Sequence, residues 1–467
     1  RIHDRCRRRL RRVRHVALNC VKATSMTLGL IVFALGSPGQ AWAANLPSGA
    51  TVVHGVVDLQ QQGNDALRIL QGSQSAIVNW QSFDIGAGAL VDIVQPNIDS
   101  ALLSRIVGGN PSEILGSLNA NGHLFLVNPN GIIFGKDSTV DVHALIASTL
   151  DIADSAFLSG NISFTGDSDA AVINLGSINA ESFAALIGGK VSNDGSITAP
   201  GGDAALLAAH AILEVGEASG GKITLDLSGL LGGTADSSGS IDVASSTTQG
   251  GSATILGEQV AVSGTVDASG ATGGGLVLIG GDYQGQNTNL ANAQTTNISG
   301  TISADSFLNG DGGRVIIWAD GVTTFTGDLS ATGSGSGGFA EVSGKNILNF
   351  EGSVDLSSAS GVSGTLLLDP TNITIKNVGS HTSISGSTTL EPSAAAGSVI
   401  SLSTLNTALA SNNVIIQTSA GGGSETGNIS VDSGLAITGS NNLTIIADGD
   451  ITMISGSINL GSGDLSV

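Results

Sequence analysis

Apolar positions in this chain follow two different rhythms. Around residue 130 they are consecutive. Leu124-Phe125-Leu126-Val127 leads into the turn Asn128-Pro129-Asn130-Gly131, and Ile132-Ile133-Phe134 leads out of it. Consecutive apolar positions predict a strand buried on both faces, as in a parallel sheet. The turn fits type I geometry. Asn accepts from the backbone at the first position, Pro presets φ at the second, and Gly is favoured at the fourth. Other early candidate strands are Thr51-Val52-Val53, Gly55-Val56-Val57, Ala76-Ile77-Val78-Asn79-Trp80, Leu90-Val91-Asp92-Ile93-Val94 and Thr139-Val140-Asp141-Val142. Residues 145–152 read the same way, and residues 102–106 read as a strand or a helical turn.

The second rhythm begins near residue 160. A short unit recurs: Gly, any residue, then Ile, Val or Leu, a polar residue, and a small or apolar residue. Gly176-Ser177-Ile178-Asn179-Ala180, Gly195-Ser196-Ile197-Thr198-Ala199, Gly239-Ser240-Ile241-Asp242-Val243 and Gly300-Thr301-Ile302-Ser303-Ala304 are examples. The inexact period of about 20–25 residues means a solenoid. One such unit cannot bury its own apolar face, so the units must stack. Short β-branched strands with glycine corners predict an all-β, right-handed parallel β-helix with one unit per coil. Inward Ile, Val and Leu would form the core, and Asn and Ser near the corners can form ladders between coils. The last residues, Leu465-Ser466-Val467, fall inside a repeat without a capping segment. A solenoid has to cap its open end, so the chain is expected to be a piece of a longer protein.

Composition supports the all-β reading. The 68 glycines among 467 residues are about twice the ordinary share. Disorder is disfavoured because 41% of residues are hydrophobic. Charge is unevenly placed. Nine of the 17 basic residues precede Ala44, against one acid, Asp4. The remainder carries 8 basic and 37 acidic residues, a net charge of −29. Such a body repels phosphates, so no nucleic-acid partner is expected. Both cysteines, Cys6 and Cys20, lie in the basic segment, and the body can form neither a disulfide nor a thiolate site.

That N-terminal segment has the plan of a secretory signal peptide. A basic region to Lys22 precedes the ten-residue apolar run Met-Thr-Leu-Gly-Leu-Ile-Val-Phe-Ala-Leu from Met26, and Ala41-Trp42-Ala43 supplies small residues. Cleavage is expected between Ala43 and Ala44. The run is too short to span a bilayer, which takes about 20 residues.

Catalytic patterns are absent from the sequence. None of the seven histidines pairs with another at metal-ligand spacing. No Gly-x-Ser-x-Gly elbow, P-loop or His-Glu-x-x-His occurs. His123 reads as structural. Gly310-Asp311-Gly312-Gly313 is reminiscent of calcium-binding repeat turns and does not recur in tandem. No catalytic residue, cofactor or metal is assigned.

The turn and its flanks resemble a known family. Val127-Asn128-Pro129-Asn130-Gly131-Ile132-Ile133-Phe134-Gly135 is similar to the signature of the filamentous-haemagglutinin-type secretion domain. That domain opens exoproteins (TpsA) of the two-partner secretion pathway. Gln95-Pro96-Asn97, Ser104-Arg105-Ile106-Val107-Gly108, Asn110-Pro111-Ser112-Glu113-Ile114-Leu115-Gly116 and Val140-Asp141-Val142-His143-Ala144 agree with it. So does the start, Asn45-Leu46-Pro47-Ser48-Gly49. The Asn-Pro-Asn-Leu motif of some members is missing, the nearest piece being Gln95-Pro96-Asn97-Ile98.

The resemblance implies a division into a signal peptide (1–43), a secretion domain (44–300) and β-helix repeats (301–467). It implies export across the inner membrane by the signal peptide. An outer-membrane TpsB-type β-barrel transporter would then recognise the domain through its periplasmic modules, leaving a secreted or surface adhesin-type exoprotein. Its secretion motif would be Asn128, Pro129, Asn130, Gly131 and Ile132. Gln95, Pro96, Arg105, Asn110 and Pro111 are secondary matching positions. Two alternatives stay open: a secreted β-helix polysaccharide lyase or hydrolase, and a haem-binding or cytolytic exoprotein of the same pathway. The host or cell-surface target is not legible.

Overall fold

The computed structural model describes residues 45–160, 162–209, 213–218, 222–226, 232–377, 397–419, 426–432, 434–453 and 455–467. The signal peptide, its cleavage position at Ala43 and Ala44, and both cysteines lie outside the described residues. The remainder is a parallel β-helix. Each regular coil contributes strands to three faces, and every face is a parallel, in-register stack. In one coil these are Thr301–Ser303, Arg314–Ala319 and Val322–Phe325, paired with Asp328–Ser330, Phe339–Gly344 and Ile347–Phe350 of the next.

The recurring unit starts the first face of each coil. Its apolar residue forms one file along the axis, from Leu67 through Val91, Leu118, Val140, Ile178, Ile197, Ile241, Val266, Ile302 and Leu329 to Val354. All of these are buried in the central core. The unit's glycine forms a second file. At Gly195, Gly239, Gly264, Gly300, Gly327 and Gly352, an added Cβ would sit 1.9–2.3 Å from the carbonyl oxygen of the glycine one coil earlier. Glycine therefore recurs because only a missing Cβ permits this backbone approach. Corner ladders form as well: Asn174 Nδ2 donates to Asn193 Oδ1 at 2.8 Å, and Asn193 Nδ2 to Ser237 Oγ at 3.3 Å.

The consecutive apolar run has a direct explanation. Leu124 and Leu126, in the strand Ser117–Val127, point into the central core. Phe125 and Val127 point outward into a second apolar cluster with Ile152, Phe157 and Phe164. That cluster is covered by elements outside the solenoid. They are the strands Asp151–Ile152 and Ile162–Thr165 and the helix Asp154–Ser159, and Ile162–Thr165 continues into a four-stranded antiparallel sheet with Leu213–Ala218 and Lys222–Asp226. Residues 102–106 are in the strand Ala101–Ile106. Thr51–His54 pairs antiparallel with Ser75–Trp80, and the hairpin of Val57–Gln62 with Ala66–Gln71 precedes the first complete coil.

Two departures from a uniform solenoid occur late in the chain. Strand Ser398–Ser401 slots between Ile347–Phe350 and Ile373–Lys376, out of sequence order. It leads into the helix Leu402–Ser411, which occupies the first face between Ser353–Asp355 and Leu435–Thr438. Asn412 joins helix to ladder. Its Oδ1 accepts from Leu356 N at 2.6 Å and its Nδ2 donates to Val354 O at 2.9 Å.

Candidate secretion site

The strand Ser117–Val127 delivers the chain to Asn128, and Ile132–Phe134 carries it onto the third face. Between them Gly131 N donates to Asn128 O at 3.0 Å, the bond of a four-residue turn. Asn128 Oδ1 accepts from Asn130 N at 2.9 Å and from Asn130 Nδ2 at 3.1 Å. Gly131 has φ +115°, a conformation suited to glycine. The expected turn is therefore present, with the Asn side chain acting as expected.

What the sequence did not reveal is how the turn is fastened. Asn128 is fully buried. Its Nδ2 donates to Asn110 O and to Ser112 Oγ, both at 3.0 Å. Asn130 Nδ2 donates to Gly108 O at 2.9 Å, and Ser112 N donates to Gly131 O at 3.0 Å. The turn is thus bonded along its length to residues 108–112 of the preceding coil. The following coil joins through Ser168 Oγ, which donates to Pro129 O at 2.6 Å. Ile132 is buried between Ser112 and Val172 in the third-face ladder. Only Pro129 is well exposed among the five motif residues.

Of the secondary positions, Asn110 and Pro111 meet the turn, while Gln95, Pro96 and Arg105 lie elsewhere. Gln95 is buried at another corner. Its Nε2 donates to Ser100 O at 2.9 Å and Gln71 Oε1 at 3.2 Å, and Asn121 brackets its backbone. Pro96 follows it and is exposed.

Arg105 ties the second face to the outer elements. Its Nε meets Asp151 Oδ1 at 2.8 Å, its Nη1 meets Asp154 Oδ1 at 2.7 Å, and its Nη2 donates to Ile152 O. Burial lowers the pKa of this guanidinium, and the bonds and charges of Asp151 and Asp154 outweigh it, leaving the value above the ordinary one. Ser112, Asp151 and Asp154 are the partners that sequence reasoning missed. Pairings 46 and 49 residues apart leave no local signal.

His123 stacks on His143 with ring centroids 5.7 Å apart, and His143 Nδ1 lies 2.9 Å from Glu181 Oε2. Among the described residues no three His, Asp or Glu side chains gather as a metal site.

Comparison with known proteins places this region within a described family. A family model described as "TPS secretion domain" matches residues 43–245, spanning the turn, its bonded loop, and Gln95 and Arg105. Residues 43–245 thus match the secretion domain of two-partner secretion exoproteins. Two relatives named "Heme/hemopexin-binding protein", both from Haemophilus influenzae, are 37% identical. One matches over 169 residues, 34% of this chain and 18% of the relative; the other over 129 residues, 27% and 14%. The chain therefore spans less than a fifth of either. In fold, it is similar to the HMW1 secretion domain from Haemophilus influenzae, with a TM-score of 0.62 and 22% identity over 90% of this chain and all of that one. The family match is to a secretion domain and not to an enzyme family.

Proposed function

We propose that residues 44–300 act as the export signal read by an outer-membrane TpsB-type transporter, and as the folding nucleus of the β-helix continued by residues 301–467. The signal peptide at 1–43 would bring the chain through the inner-membrane machinery. The periplasmic modules of the transporter would engage the secretion domain, and the chain would fold outside. The observation that carries this reading is the burial of Asn128, whose side chain makes two hydrogen bonds to the preceding coil and two within its own turn. Such a side chain acts through the fold: it pins the first coils, on which later coils stack in turn. The body, free of cysteine, has no disulfide to lock it before threading.

The whole protein reads as an adhesin-type exoprotein. A second reading, a haem-related exoprotein, is favoured by the name of the two relatives.

The test is to produce the chain in a Gram-negative host with and without its partner transporter. The protein is expected in the medium only with the transporter, and signal-cleaved in the periplasm without it. Equal amounts in the medium under both conditions contradict the proposal.

A further inference from the structure

In three later coils the step from the second face to the third takes two residues. Gln259–Val262 follows Ser252–Leu256, Val322–Phe325 follows Arg314–Ala319, and Ile347–Phe350 follows Phe339–Gly344. Between Leu276–Ile279 and Thr295–Ile298 it takes residues 280–294. The flanking strands keep their regular pairing on both sides, so the solenoid does not require this insertion. The insertion folds back over the outer side of the second face. Leu290 packs on Leu278, Ile316 and Trp318.

Gln284 is the tip of this cover. Among the described residues it alone has positive φ without being glycine, at 53°. Strain of this kind gathers at ligand clamps and functional loops. Its backbone N–H donates to Glu341 Oε2 at 3.0 Å and Oε1 at 3.2 Å, and its Nε2 donates to Asp369 Oδ2 at 3.1 Å. One strained residue thus holds two buried carboxylates from different coils.

Beside this clamp lies a cavity of about 400 Å³, walled by Gln284, Trp318, Asp320, Lys345, Asp369 and Ser419 among others. That size suits a small-molecule site. Its polar groups are held in place. Asp320 Oδ1 accepts from Trp318 Nε1 at 3.0 Å and Asn292 Nδ2 at 3.1 Å, while these bonds leave Oδ2 unused. Asp369 Oδ1 accepts from Ser419 Oγ at 3.3 Å. Lys345 forms no ion pair among the described residues. Two carboxylates and one ammonium share the wall, placing acceptors beside a donor. Groups that both donate and accept, hydroxyls, match it.

We propose that the cavity beneath residues 280–294 binds an uncharged polyhydroxylated ligand, a saccharide unit. Asp320 and Asp369 accept from its hydroxyls, and Lys345 donates to them. The electrostatics of the cavity wall agree: burial pushes Asp369 up to about 6, a perturbation typical of functional sites. The site goes beyond the export reading and does not depend on it.

Trp80 and Trp318 are the two tryptophans after Ala43, and Trp80 is sealed in the core. Fluorescence of the secreted chain is therefore followed during titration with glucose, galactose, mannose and N-acetylglucosamine. At least one sugar is expected to give a saturable change. Asp320→Ala should weaken it about tenfold or more, a loss on the scale of a buried polar contact. Lys345→Ala, at an exposed position, should weaken it several-fold while the melting temperature stays at the wild-type value. A flat response to all four sugars up to about 50 mM, well above millimolar affinity, overturns the proposal. Binding of spermidine, calcium or N-acetylneuraminic acid without any binding of neutral sugars also overturns it.

Discussion

Asn128→Ala removes four side-chain hydrogen bonds from a fully buried position. Each bond contributes about 0.5–1.5 kcal/mol net. Asn110 and Asn130 retain access to water, so their orphaned groups recover part of the loss. Ser112 is fully buried, and its unpaired hydroxyl costs about 1–3 kcal/mol. The backbone bonds of the turn, Gly131 N to Asn128 O and Asn128 N to Ser148 O, survive. The expected destabilisation is about 2–4 kcal/mol.

Asn128→Asp tests the donor side alone. It keeps an acceptor for Asn130 N–H, but turns a carboxylate oxygen toward Asn110 O. Burial holds its folded pKa above the unfolded value, so its stability is fullest below the unfolded pKa of about 3.9. That stability is lost as pH rises through the folded pKa. The assay is urea unfolding of the secreted chain, paired with its amount in the medium. A wild-type unfolding midpoint for Asn128→Ala refutes the reasoning. Reduced export at wild-type stability would place the turn's role in contact with the transporter.

Gly300→Ala would place a Cβ 2.0 Å from Gly264 O and should cost about 2–3 kcal/mol or more in thermal melts, whereas Gly109→Ala meets nothing within 4 Å and should stay within about 0.5 kcal/mol. Wild-type melting of Gly300→Ala would remove the glycine file as a packing device. Arg105→Ala leaves Asp151 and Asp154 unpaired, and because both acids are about half exposed the loss is about 1–2 kcal/mol. Faster amide exchange should be confined to Asp151–Ile152 and Ile162–Thr165, with Arg105→Lys intermediate; uniform exchange across the solenoid would count against a local tie. Burial raises Glu341 from 4.5 to about 7, so its carboxyl contributes stability that is fully present below pH 4.5 and lost as pH rises through about 7. Relative to Glu341→Gln, the wild-type protein should lose about 3 kcal/mol across that window; parallel pH profiles for the two proteins would show that Glu341 does not titrate there.

Much of the solenoid was legible because its defining residues recur. The Ile, Val or Leu of each unit and the glycine before it make contact with their own counterparts one coil away, so period and packing carry the same information. The turn at Asn128–Gly131 was legible because Asn128, Pro129 and Gly131 each have a local backbone reason to be there. The apolar run at residues 124–127 also announced burial on both faces, without saying what covers the outer one.

The covering sheet was not legible. Ile162–Thr165 and Leu213–Ala218 pair across about fifty residues, and short polar-apolar alternation looks the same inside or outside a coil. The helix Leu402–Ser411 was missed because Asn412 reads locally as a turn residue, while its work is done on Val354 and Leu356, nearly sixty residues earlier. Arg105 and Gln95 drew attention only through family resemblance. Their partners become visible only when coils are stacked.

Residues 44–300, placed behind the signal peptide, test the account most directly. With the transporter present, this fragment alone should accumulate in the medium, while the signal peptide joined to residues 301–467 should remain in the periplasm. Export of the second chain, or retention of the first, would contradict the assignment of the export signal to the early coils.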